Sequence, residues 1–77
     1  MIKTRADSYT NQTSIRIDES TTGTTYVGKA PLASSEATAT WQIMKIVEFA
    51  GITTITWADG DSSFNNIWTN RASLTYS

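Results

Sequence analysis

The sequence predicts a small all-β fold, an antiparallel β-sandwich or barrel of about 5–6 strands with one short helical turn near residues 64–68. Three observations predict it. Apolar and polar residues alternate with a period of two in several short segments. Gly, Pro, Asp and Asn separate those segments. Thr and Ser make up 23 of the 77 residues, and threonine's β-branch favours the pleated backbone.

The elements follow in order. Thr13 to Asp18 alternates, with Ile15 and Ile17 on one face and Arg16 on the other, as in a half-buried strand. Glu19 to Gly23 is a polar turn. Thr24 to Ala30 is a second strand, and Gly28 within it marks a bulge or a close backbone approach. Pro31 opens a Ser- and Ala-rich loop, with a short helical turn over Ala33 to Ala37 as an option.

Trp41 to Phe49 is the longest strand. Trp41, Ile43, Lys45, Val47 and Phe49 share one side, while Gln42, Met44, Ile46 and Glu48 share the other. Neither side is purely polar. Either both faces are covered, or a bulge near Met44–Lys45 shifts the register. Ala50-Gly51 turns the chain, and Ile52 to Ala58 returns. Asp59-Gly60-Asp61 is a turn signal. Phe64, Ile67 and Trp68 stand at i, i+3, i+4, the spacing of one helical turn packed on a sheet. Arg71 to Ser77 alternates again and reads as a final strand. The expected core anchors are Trp41, Ile43, Ile55, Trp57, Phe64, Ile67 and Trp68.

Residues 1–77 form a single β domain, with residues 1–12 a candidate N-terminal arm whose large apolar residues are Ile2 and Tyr9. A chain this short buries only about 60–65% of its unfolded surface and commonly needs a staple. Cysteine and histidine are absent, which removes disulfides and makes zinc, haem and copper sites improbable. Self-association or docking on a larger assembly remains. The expected assembly contacts are Ile2, Tyr9, Met44, Ile46 and Val47, because an uncovered apolar strand face is rare on a free monomer.

The six Lys and Arg residues are scattered and the net charge is −1, so nucleic-acid binding is not expected. No apolar run approaches the ~20 residues of a membrane span, and no secretory leader is evident. The chain is expected to be made in the cytoplasm.

Sites for chemistry are sparse. Asp59, Asp61 and Ser63 have the 1-3-5 spacing of a calcium loop, but Asn70 stands where its final glutamate belongs. A carboxylate pair of Glu48 with Asp59 or Asp61 is the conceivable glycosidase arrangement. A turn explains the first and solvated surface the second. No catalytic, cofactor or metal residue is assigned, no cofactor is expected, and the chain is not expected to be an enzyme. Arg71 is placed to stack on a tryptophan or pair with Asp59 or Asp61.

One resemblance adds to this. Tyr26-x-Gly28-x-Ala30 is followed by a Ser/Ala loop and Trp41-x-Ile43-x-x-Ile46. A hairpin then leads to Trp57-Ala58-Asp59-Gly60, Phe64-x-x-Ile67-Trp68 and Asn70-Arg71-Ala72-Ser73-Leu74-x-Tyr76. This pattern, over about two thirds of the chain, resembles a group of small virion-associated β proteins of tailed bacteriophages. The chain departs from the group at the hairpin tip, where Phe49-Ala50-Gly51 replaces a longer polar turn.

The resemblance implies a non-enzymatic, multi-copy virion protein made in the host cytoplasm. Its roles would be capsid decoration or cement, head–tail joining, or fibre attachment. Its partners would be itself, as a homo-oligomer, and other virion proteins. The rival reading is a carbohydrate- or receptor-binding module of a tail fibre, which needs at least two tryptophans exposed on one face.

Because the ADGDSS segment reads as a turn, chelation should not matter. Protein treated with EDTA is expected to melt at the same temperature as untreated protein. A fall of several degrees that calcium restores would show that the segment is a metal loop.

Overall fold

The computed structural model describes residues 13–77; the expected arm, with Ile2 and Tyr9, lies outside the described residues. The fold is all-β, with strands β1 (Thr13–Thr21), β2 (Thr24–Pro31), β3 (Ala39–Phe49), β4 (Ile52–Trp57) and β5 (Asn66–Ile67). A 3₁₀ helix, Trp68–Ser73, follows β5. The sheet is antiparallel in the order β1-β2-β3-β4, and β5 pairs with the opening residues of β3.

Two tight turns set the meander. Ala50 and Gly51 both have positive φ, 54° and 82°, the type I′ geometry whose twist matches a two-residue hairpin. Gly23, at φ 80°, closes the β1–β2 hairpin. Near that turn the register shifts between Asp18 and Thr21, and the Asp18 carboxylate accepts from the Ser20 N–H and hydroxyl. Through Met44 and Lys45 the pairing with both neighbours is continuous, so the expected bulge there is absent.

The register sorts the side chains. Arg16, Gly28 and Ile43 are partnered across β1, β2 and β3, and they point with Tyr26, Ala30 and Trp41 to the core face. Ala30, Trp41, Ile43, Ala58 and Trp68 form the buried cluster, with Tyr26, Leu74 and Tyr76 packed against it. The layer over this face is the C-terminal segment. Trp68 is carried in by the 3₁₀ helix, and the residues after it run back beside Trp57 to Asp59. Trp57 and Ser77 exchange both backbone hydrogen bonds at 3.1 Å, and the Asp59 N–H donates to Thr75 O at 2.8 Å.

Several expectations are corrected here. The helical turn expected near 64–68 instead begins at Trp68, because Asn66 and Ile67 are extended by pairing with β3. The final strand expected over Arg71–Ser77 is 3₁₀ helix up to Ser73, then an isolated bridge, Ala58↔Tyr76. Residues 33–37 are the expected loop, with turns and without the optional helical turn.

Among the expected core anchors, Trp41, Ile43 and Trp68 are buried. Ile55 and Phe64 are exposed, 53% and 49%. Trp57 and Ile67 are half-buried. The reason for Ile55 and Trp57 is register. Met44↔Trp57 and Ile46↔Ile55 place both on the face opposite Ile43.

Gly28 is the seat of the core. A Cβ on Gly28 would lie 2.5 Å from Cε3 and 2.7 Å from Cζ3 of Trp68, and 3.1 Å from Cε3 of Trp41. The close approach, not a bulge, explains this glycine, since the ladder runs through it unbroken.

Gly28→Ala should therefore force the Trp68 ring out of its place and destabilise the domain by about 1–3 kcal/mol. Trp41→Ala removes a fully buried indole and should cost about 3–5 kcal/mol, enough to unfold so small a domain. Urea titration followed by tryptophan fluorescence reads both. An unchanged midpoint for either would show that the core is placed wrongly.

Candidate functional site

The two faces of the sheet differ sharply. The core face is closed by two stacked rings held between two cations. The Arg16 guanidinium lies 5.5 Å from the Trp41 ring. Trp41 and Trp68 have centroids 5.8 Å apart and are tilted by 38°. Arg71 then caps Trp68 at 4.6 Å. Each contact sets a cation or a ring edge against an electron-rich ring face.

Arg71 also donates from Nε to Asp18 Oδ2 at 2.8 Å and from Nη1 to Trp68 O at 3.2 Å. The sequence offered Asp59 and Asp61 as its partners. The structure selects Asp18, which its register with Tyr26 places on the core face, the side of the 3₁₀ helix. The Arg71 carbonyl accepts from the Tyr76 hydroxyl at 2.8 Å, and Tyr76 packs on Tyr26 with Lys45 over its ring.

Titration follows from this arrangement. The Asp18 carboxyl is held down to about 2, first by the Ser20 hydroxyl and N–H, then by Arg71. The Tyr76 phenol is pushed up to about 12, mainly by burial and then by Tyr26 beside it.

The opposite face is open. Ile17, Val27, Met44 and Trp57 are register partners and form one row across all four long strands. The next row holds Thr25, Ile46 and Ile55. Ile15 and Ile17 are 53% and 63% exposed; Val27, Met44, Ile46 and Trp57 are half-buried, and the loop after β4 reaches the end of this face where Gln42 Nε2 donates to Ser62 O at 2.9 Å. The buried cluster and the C-terminal segment both lie on the other side.

At one end of this face stands Lys29, between Ile15 and Gln42. At the other end Glu48 and Glu19 border a shallow recess floored by Thr25 and Ile46. Of the expected assembly contacts, Met44 and Ile46 lie on the open face. Val47 lies on the core-face side, beyond the reach of the 3₁₀ helix, since it is partnered with Thr24 and Thr54.

The candidate chemistry finds no support in this geometry. Glu48 stands five residues along β3 from Ile43, whose carbonyl accepts from Ala58 N–H at the start of the Asp59–Asp61 turn. At ~3.3 Å per residue that is roughly 16 Å, beyond the separation of a glycosidase carboxylate pair. Asp59 and Gly60 have φ of 60° and 75°, and Asp61 Oδ1 accepts from Ser63 N–H at 2.9 Å, the features of a self-contained turn. Among the described residues no cluster of acidic residues is arranged to hold a metal ion.

Pattern reading of the sequence missed the Arg71–Asp18 pair, because 53 residues separate its members. It also missed the role of Arg16. Comparison with known proteins brings no match: no family model, no curated protein and no solved structure is significantly similar to the chain.

The Asp18 latch predicts an acid dependence. Folding lowers its pKa from 3.8 to about 2, so the unfolded chain holds the proton more tightly. The stability it contributes is complete above about pH 4 and is lost as pH falls toward 2. Asp18→Asn should be less stable at neutral pH. Its urea midpoint should also fall less than that of the parent between about pH 5 and 2. Parallel pH profiles would show that the pair does not latch the fold.

Proposed function

We propose that this chain is a non-enzymatic structural subunit used in many copies, a virion component of the tailed-bacteriophage kind that its sequence resembles. The observation that carries the reading is the open apolar face centred on Met44. Its row of Ile17, Val27, Met44 and Trp57 spans the four long strands with no described element packed on it. Such a face on a charge-poor domain of 77 residues is an assembly surface: it gains most from burial against another protein. Decoration of a shell, joining of head and tail, and attachment of a fibre all use a small subunit this way. The virion is the place of action, with the host cytoplasm the place of synthesis.

The glycan-binding alternative loses its basis. Trp41 and Trp68 are buried in the core, so a sugar platform would rest on Trp57 alone.

Two measurements test the proposal. Mass spectrometry of purified particles should find the chain at many copies per virion. Light scattering on the isolated protein should find a species larger than the 8.5 kDa monomer. A protein that stays monomeric and never accompanies particles would overturn the reading.

A further inference from the structure

Resting on the reading of the open face as an assembly surface, we infer that its occupant is a second copy of this chain. The two sheets stack face to face about a twofold axis that runs across the strands. The distribution of charge on the face points to this arrangement. Arg16, Lys45 and Arg71 all serve the core face. Among the described residues that leaves Lys29 as the cation of the open face, at one end, and Glu48 with Glu19 at the other. Among the described residues none of the three takes part in an ion pair.

The register locates the axis. Lys29 is partnered with Gln42, and Glu48 stands six residues further along β3. The midpoint falls at Lys45, between the Met44 row and the Ile46 row. A twofold axis across the strands at that point exchanges the two ends of the face. Because the axis keeps each strand over its own copy, Lys29 on β2 falls over the partner's β1–β2 turn at the level of Gly23, one strand away from the partner's Glu48, and the partner's Lys29 meets Glu48 in the same way. Each ammonium then enters the recess that Glu19 and Glu48 border.

The same operation lays Met44 over the partner's Ile46 and Trp57 over the partner's Ile55. Met44 and Trp57 therefore each meet an isoleucine rather than their own copy. Stacked sheets lie about 10 Å apart, a gap that an extended lysine bridges with its ammonium. The other in-plane axis, along the strands, would bring Lys29 against the partner's Lys29 and leave the carboxylates facing each other. Charge selects the first.

The test uses the full chain. Dimer dissociation is measured by light scattering and sedimentation at low salt, and near-ultraviolet circular dichroism of the tryptophans confirms folding. Met44→Asp should give a folded monomer. Lys29→Glu and Glu48→Lys should each weaken the dimer by about tenfold or more, because each places two like-charged contacts in the interface. Mixing the two variants should restore tight association, since the mixed pair again matches opposite charges at both contacts. The double variant should also dimerise.

If Met44→Asp dissociates the dimer while the charge variants and their mixture behave as the parent does, the face is the contact but this arrangement is wrong. If Met44→Asp leaves the dimer intact, the assembly reading of the face fails as well. If the full chain is monomeric and removal of residues 1–12 makes it dimerise, the chain's own N-terminal residues occupy the face, and the inference is overturned.

Discussion

The docking of Trp68 on Gly28 is the contact from which the rest of the core follows. A four-stranded meander of this length has no second sheet to pack against, and its apolar side chains need a cover. The C-terminal segment supplies it by laying one indole across the backbone of β2 and against Trp41. Only a glycine lets the ring come that close. Once Trp68 is seated, Arg71 falls over its outer face and reaches Asp18 in the edge strand, so the cover is tied to the far side of the sheet. Tyr76 ties the chain end to the same place through the Arg71 carbonyl. Packing, cation–π contact and a charge-assisted hydrogen bond act here as one unit. Loss of any part loosens the others.

The strands were legible in the sequence because alternation and turn residues are local signals. Ala50-Gly51 and Asp59-Gly60 announced their turns, and the Ile15–Ile17 and Trp41–Phe49 alternations announced their strands. The faces were less legible. Phe64, Ile67 and Trp68 looked like one helical turn, yet pairing of Asn66 and Ile67 with β3 extends the backbone there and leaves only Trp68 in the core. Ile55 and Trp57 looked like core because they are large and apolar. Which side of a sheet such residues take is set by cross-strand register, and a strand's own sequence does not contain its register. Gly28 was legible as an anomaly but not in its cause, since Trp68 lies 40 positions away. The open face was legible only as one of two alternatives: apolar residues on both sides of β3 pointed either to two covered faces or to a bulge near Met44–Lys45.

The two faces describe a division of labour. One carries the cations of the described sheet except Lys29, and uses them to hold rings in place. The other carries isoleucine, valine, methionine and one tryptophan with a single charge type at each end. A domain built only to be soluble would distribute these residues the other way. In the proposed assembly another subunit covers the bare face, and the small core would draw further stability from that contact.

The core occupies only one end of an elongated body, 47 × 28 × 22 Å. Trp41, Ile43 and Trp68 lie beneath the first half of β3, while Phe49 and Ile52, 79% and 67% exposed, form a hairpin tip away from the buried cluster of the described residues. Cooperativity is therefore uneven along the sheet. Local opening of the tip, from Val47 to Thr54, is expected to need less free energy than release of Trp68. A neighbour packed along the sheet would bring both ends into one cooperative unit, so assembly would also complete the folding of the subunit.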